Sequence, residues 1–230
     1  MTNDPKTLGL AFLGGIIPSL LWLWFWLRED KKNPEPKGLL TIVFIMGMAA
    51  VALVLPIQKA IQDSVSSPDA QLILWASAEE IMKYIAVLAV VYRTNFADEP
   101  IDWPIYLITA ALGFAALENA LFLMKPLSLD QTTVSLLTGQ LRFLGSTLLH
   151  TVASGILGIA IGISLRLSWF KRQWHLLVGF LFAIALHSLF NFFIIRSGSQ
   201  DFLEILKVFG FLWVVAIIVM LLFEKVRRMN

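Results

Sequence analysis

Two adjacent glutamates stand inside an apolar stretch of the chain, "LWASAEEIMKYIAV" at residues 74–87. Lys83 follows Glu79 and Glu80 by about one helical turn, and most of the other residues are Leu, Ile, Val, Ala and Trp. A carboxylate with little water around it is a stronger base than one in bulk solvent, which suits it to general-base catalysis near neutral pH. The stretch therefore predicts a site where a glutamate activates water.

Further polar side chains occur in apolar runs later in the chain. His187 and Asn191 are four residues apart, so they share one face of a helix. A histidine beside the glutamate can hold the water, and a second histidine with an asparagine can stabilise the oxyanion formed on a carbonyl. This chemistry hydrolyses an amide bond, and the candidate catalytic residues are Glu79, Glu80, Glu118, His150, His187 and Asn191.

A zinc ion is the alternative way to activate the water. Glu79, His150 and His187 would supply a ligand set like the two histidines and one glutamate of soluble metalloproteases, and the ion would lower the pKa of a bound water. The chain has no cysteine and no H-E-x-x-H motif, so the ligands would have to come from three helices. The sequence leaves both alternatives open, no cofactor or one Zn²⁺.

The composition places these residues in a membrane protein. The chain has 230 residues, of which 58% are apolar, and a soluble domain of this length could not bury so much apolar surface. Runs of about 20 apolar residues are long enough to cross the hydrocarbon core as helices. We therefore predict an all-α polytopic bundle of about seven transmembrane helices, a single domain over residues 1–230 with its catalytic core at about 70–196. The predicted spans are Leu8–Leu27, Leu39–Gln58, Ala70–Tyr92, Trp103–Met124, Leu141–Leu165, Trp174–Ile195 and Phe202–Phe223.

The ionisable residues of spans three to six lie at similar depths. An ionisable residue at the bilayer centre costs about 2.5–3.5 kcal/mol on insertion scales, so each one needs a reason. Six to nine residues separate the outer end of the span from each of Glu79, Glu118, His150 and His187. With a rise of about 1.5 Å per residue, these side chains lie roughly 10–15 Å below the outer surface. The common depth predicts one site formed by spans three to six.

The distribution of Lys and Arg predicts the orientation. Loops that are rich in these residues remain in the cytoplasm, and here they follow the odd-numbered spans. We expect the N-terminus outside, the C-terminus in the cytoplasm and the Glu–His layer in the outer half of the bilayer. The basic residues of the cytoplasmic set are Arg28, Lys31, Lys32, Lys37, Arg93, Arg166, Lys171, Arg172, Lys225, Arg227 and Arg228.

Three other polar residues have structural interpretations. Lys83 is either an ion-pair partner of Glu80 that locks two helices or a part of the site. Arg142 lies near a span end, where its side chain can reach the outer interface. Asn119 is predicted to form hydrogen bonds between helices.

Four segments occur in the order and spacing seen in the PrsW family of intramembrane proteases: "EEIMK" (79–83), "GFAALEN" (113–119), "LRFLGSTLLHTVASGILG" (141–158) and "HSLFN" (187–191). The chain resembles this family over spans three to six, within a wider clan that includes CAAX prenyl proteases and bacteriocin-processing proteases. The resemblance implies an endopeptidase of the bacterial plasma membrane. Its partners would be lipid and a single-span membrane protein such as an anti-sigma factor, with no nucleic acid, and the cut would fall within or near the outer half of the bilayer.

The resemblance also implies roles for individual residues. Glu79 matches the general base, and Glu80 matches its partner, held by Lys83. His150 matches the histidine that positions water.

His187 and Asn191 match the pair that stabilises the oxyanion, while Glu118 matches the acid of the family's "EN" motif. The family carries the label metalloprotease, whereas its prenyl-protease relatives suggest a glutamate mechanism without a metal. We expect the glutamate mechanism.

Two other functions use the same residues. Buried Glu and His at one depth also form proton relays in transporters and channels, although the odd number of spans and the lack of inverted repeats argue against this function. The second alternative is a catalytically idle immunity or scaffold protein, which the full set of motif residues disfavours.

Overall fold

The chain forms seven long helices within the part that the computed structural model describes: residues 4–28, 34–92, 94–129, 131, 133, 141–197 and 202–229. The described part contains no strand, which confirms the predicted all-α membrane bundle. One turn of π-helix, Arg142–Ser146, leads into the fifth long helix. The long helices are α1 Pro5–Leu27, α2 Lys37–Ser64, α3 Pro68–Val91, α4 Asp102–Ser128, α5 Thr147–Ser164, α6 Trp169–Ser197 and α7 Phe202–Arg227.

Six of these helices are long and apolar enough to cross a membrane by length and composition, with the π-helical turn counted as part of α5. The remaining helix is α3, which has 24 residues and carries Glu79, Glu80 and Lys83. Lys31, Lys32 and Arg93, on which the predicted orientation partly depends, lie outside the described residues, as does the side chain of Arg142.

Helices α4 and α5 occupy the centre of the bundle. In their apolar segments 72% and 78% of the residues are buried, compared with 17% in α1 and 22% in α7. The outer helices direct large apolar side chains away from the protein, as lipid contact requires. Polar side chains that α4 and α5 contribute are therefore enclosed by protein on most sides.

Glycines bring the backbone of α2 directly against that of α4. A Cβ atom on Gly47 would lie 2.0 Å from the carbonyl oxygen of Ala110, and one on Gly113 would lie 2.0 Å from the carbonyl oxygen of Phe44. Small residues at such crossings are typical of helix packing in membranes. The crossing holds the C-terminal half of α2, which includes Gln58, close to α4.

The second helix is longer than its predicted span. The prediction ended the span at Gln58, whereas α2 continues to Ser64 before the chain turns and Ser67 caps α3 through Ala70. Hydropathy locates the apolar part of a helix, but hydrogen bonding continues beyond it into polar residues. Gln58 is consequently an interior residue of α2, more than one turn from its end.

Candidate active site

Glu80 and Lys83 form an ion pair with no exposed side-chain surface. Lys83 Nζ donates to Glu80 Oε1 at 2.6 Å. The other carboxylate oxygen, Glu80 Oε2, accepts from Ser154 Oγ of α5 at 2.7 Å, and His187 Nδ1 of α6 lies 2.9 Å from Oε1. The carboxylate of Glu80 is thus engaged by three helices, which suits it to hold other groups in place.

Lys83 also determines which ring nitrogen of His150 carries the proton. Lys83 Nζ lies 2.8 Å from His150 Nδ1 and over the ring of Phe114. An ammonium group can only donate, so Nδ1 accepts and the ring proton is assigned to Nε2. That nitrogen lies 3.1 Å from Glu118 Oε2 and donates to it. Lys83, His150 and Glu118 therefore form a chain of hydrogen bonds from α3 through α5 to α4.

The carboxylate of Glu79 is held at one oxygen only. Its Oε1 accepts from Gln58 Nε2 of α2 at 2.9 Å. Its Oε2 is buried without a hydrogen-bond partner among the described residues, 3.6 Å from His187 Nε2 and 4.0 Å from His150 Nδ1. A buried carboxylate oxygen without a partner is costly, and such oxygens mark places where a water or an ion belongs.

A cavity of about 760 Å³ lies against this oxygen. Most of its wall is apolar and comes from α2, α4, α6 and α7, including Leu55, Phe122, Phe190 and Phe209. The polar side chains on the wall include Gln58, Glu79, Glu118, His150, His187 and Asn191. Glu80 and Lys83 are not among the lining residues, so they lie behind the wall and support it.

The structure brings together the residues that were predicted to share one depth. The rings of His150 and His187 meet edge to face, 5.0 Å apart between centroids. Asn191 follows His187 by one turn and lines the same cavity. Asn119 donates to Thr147 Oγ1 at 2.9 Å, which confirms its predicted hydrogen bond between helices. Lys83 forms the predicted ion pair with Glu80, but the pair lies within α3, and the contact of Lys83 with another helix is to His150.

Sequence reasoning missed Gln58. The predicted second span ends at Gln58 and contains no ionisable residue that would draw attention to this end of it. The signal in the sequence is the segment "QKAIQDS" (58–64), whose residues can continue the helix. Its continuation places Gln58 more than one turn before the end of α2.

The donor types at the site fit a zinc ion. Ligand atoms of Glu79, His150 and His187 lie within 4.8 Å of one another and all three residues are buried. Tetrahedral zinc with bonds of about 2.0–2.2 Å holds its ligand atoms roughly 3.4 Å apart, and His187 Nε2 and Glu79 Oε2 are separated by 3.6 Å. Nδ1 of His150, however, accepts from Lys83 and would have to give up that bond to bind a metal.

Comparisons with known proteins point to one family. The profile of a family described as "PrsW family intramembrane metalloprotease" matches residues 35–222. A protein named protease PrsW from Geobacillus kaustophilus is 29% identical over 186 residues, which cover 80% of this chain and 79% of the relative. A protein of the same name from Oceanobacillus iheyensis is 28% identical over 88% of this chain and 91% of its own length. No solved structure matches the chain.

Proposed function

Because the chain belongs to the PrsW family of intramembrane proteases, we propose that it is a membrane endopeptidase in which Glu79 activates the attacking water. The observation that carries the proposal is the buried Oε2 of Glu79, which has no partner in the described part of the chain and lies near two histidines on the wall of a cavity. A water molecule beside this oxygen can lose a proton to it and attack a carbonyl carbon in the cavity.

The other side chains have separate parts in this mechanism. Asn191 and His187 form the pair that stabilises the oxyanion. The His187 ring is placed between the two glutamates, with Nδ1 2.9 Å from Glu80 Oε1 and Nε2 3.6 Å from Glu79 Oε2. Glu79 then transfers the proton taken from water to the leaving nitrogen, which completes hydrolysis.

The hydrogen-bonded chain of Lys83, His150 and Glu118 borders the water site on the side away from His187. Its Nδ1 accepts from Lys83 and lies 4.0 Å from Glu79 Oε2, so the edge of the ring borders the proposed water site. Glu118 fixes the ring from the far side by accepting from Nε2. Glu118 therefore acts on the reaction through His150, as a positioning residue.

The proposed substrate is a single-span membrane protein, of which an anti-sigma factor is one example. The apolar wall of the cavity suits the side chains of a transmembrane segment, and the polar wall suits its peptide bond. The excess of Lys and Arg in one set of loops supports an outside N-terminus and a cytoplasmic C-terminus. With that orientation the cut falls within or near the outer half of the bilayer.

The first experiment compares new protein N-termini by mass spectrometry in membranes from cells that express the wild type or Glu79→Ala at equal abundance. We expect a small set of new termini, in or near single spans, that occurs only with the wild type. Such termini would identify the substrate and the position of the cut. Identical profiles from two inserted, folded proteins would contradict the proposal and favour the proton-transport function, which proton flux in reconstituted vesicles would then measure.

The metal question has its own expected result. If zinc were bound, Glu79, His150 and His187 would hold it, and the ion would supply a more acidic water and polarise the carbonyl. We expect cleavage by the purified protein to survive treatment with a chelator, since Lys83 and Glu118 engage both nitrogens of His150. The measurements are cleavage rate and zinc content before and after chelation, with a soluble zinc protease treated in parallel.

The opposite outcome would be equally clear. Zinc at about one ion per chain, absent from His150→Ala, together with cleavage that chelation abolishes and zinc restores, would establish the metal mechanism and overturn the glutamate-only one.

A further inference from the structure

Glu79 and Glu80 are neighbours in the sequence but receive different hydrogen bonds. Glu80 is contacted by a lysine, a serine and a histidine, so both of its oxygens are engaged. Glu79 accepts one hydrogen bond from a neutral group, the side-chain amide of Gln58. A neutral donor orients a carboxylate without placing a positive charge beside it.

Helix α3 contacts Gln58 at two points, its backbone carbonyl and its side-chain amide. The indole Nε1 of Trp75 donates to the backbone carbonyl of Gln58 at 3.1 Å, and one turn later Glu79 accepts from the side chain. Trp75 and Glu79 are four residues apart and therefore share the face of α3 that meets α2. The backbone position and the amide of Gln58 are thus both set by the helix that carries the proposed base.

The bond has a directional consequence at the reacting atoms. A carboxylate rotates readily about its last torsion, which has a broad energy minimum. With Oε1 tied to α2 by Gln58, rotation is restricted and Oε2 faces His187 Nε2 at 3.6 Å on the cavity wall.

We propose that Gln58 is a positioning residue for hydrolysis: its amide holds Oε1 of Glu79 so that Oε2 faces the water and the carbonyl in the cavity. The inference rests on the proposed function, since it assigns Glu79 the base. A residue of α2 thereby joins a site whose other members lie on α3 to α6, outside the core predicted at about 70–196.

The kinetic test uses purified protein and the substrate identified from the new N-termini. Gln58→Leu removes the donor at similar volume, Gln58→Asn keeps an amide on a shorter side chain, and Gln62→Leu is the matched control on the exposed side of the same helix. We expect Gln58→Leu to lower kcat about 10- to 100-fold, the loss seen when groups that orient metal-binding side chains are removed, with KM nearly unchanged. Gln58→Asn should recover part of the loss, and Gln62→Leu should match the wild type.

Two kinetic results would overturn the inference while the protease function stands. One is a wild-type kcat in Gln58→Leu. The other is a change confined to KM, which would make Gln58 a part of the substrate wall. A wild type that cuts nothing refutes the protease function itself, and the positioning role with it.

A double-mutant cycle tests the contact without any substrate. Tm is measured for Gln58→Leu in the wild-type background and in the Glu79→Ala background. We expect a clear loss of Tm only where Glu79 is present, because the amide has no carboxylate to hold in the other background. Equal losses in the two backgrounds would show that the amide and the carboxylate are not coupled, and would overturn the inference even if Gln58→Leu proved inactive.

Discussion

Glu79→Gln is expected to lower kcat for peptide cleavage about 100- to 10,000-fold, the usual contribution of general-base catalysis. The substitution keeps the size of the side chain and an oxygen that can accept from Gln58. It removes the ability of the group to take a proton from water. Since Oε2 of Glu79 has no hydrogen-bond partner in the structure, the change breaks no bond at that atom, and the protein should retain its fold.

The measurement is kcat and KM on the identified substrate in reconstituted vesicles, with Tm as the test of folding. Glu204→Gln is the matched control, because Glu204 pairs with Lys207 near the start of α7 and is not among the residues that line the cavity. We expect that control to cleave at the wild-type rate. A Glu79→Gln protein that is folded and retains more than about a tenth of the wild-type kcat would show that another group activates the water, since a lost base costs more than that.

The convergence of Glu79, Glu118, His150 and His187 could be predicted because a membrane makes ionisable residues conspicuous. Each one stands out against its apolar neighbours, and the regular rise of a helix converts sequence position into depth. Four depths that agree are then evidence for one site. Depth is one coordinate only, however, and it says nothing of which way each side chain points.

The different positions of Glu79 and Glu80 illustrate what depth alone does not predict. Adjacent residues on a helix point about 100° apart, so only one of the pair can face the cavity. The structure shows that Glu79 lines it, while Glu80 lies behind with Lys83 and Ser154. Which face of α3 meets which neighbour depends on packing against α2 and α6, and the resemblance to a family supplied what periodicity could not.

Gln58 shows a second limit of prediction from sequence, the contacts made by uncharged polar residues. An amide carries no charge, so its presence near a span end has little energetic signature in the sequence. Its partner Glu79 is 21 residues away on another helix, and the two meet because glycine crossings bring α2 against α4 and because Trp75 ties α2 to α3. Contacts of this kind follow from the relative placement of helices, which a single sequence does not state.

Lys83→Met is expected to destabilise the protein by about 3–5 kcal/mol, the usual cost of removing one partner from a buried ion pair. Met fills a similar volume and keeps the apolar stem of the side chain, so little of the loss should come from packing. The loss arises because the carboxylate of Glu80, which has no exposed surface, is left without its cation. Reversible unfolding in mixed micelles, followed by circular dichroism, measures the free energy.

The chain offers a closely matched control in Lys207→Met. Lys207 and Glu204 have the same i,i+3 spacing and the same 2.6 Å separation as the buried pair, but their side chains are 72% and 47% exposed. Exposed pairs contribute about 0–1 kcal/mol, so this variant should lie close to the wild type. Equal, small losses in both variants would mean that water reaches Glu80 and compensates its charge. The buried ion pair could then no longer be the framework on which His150 and His187 are held, and the arrangement of the site would have to come from helix packing alone.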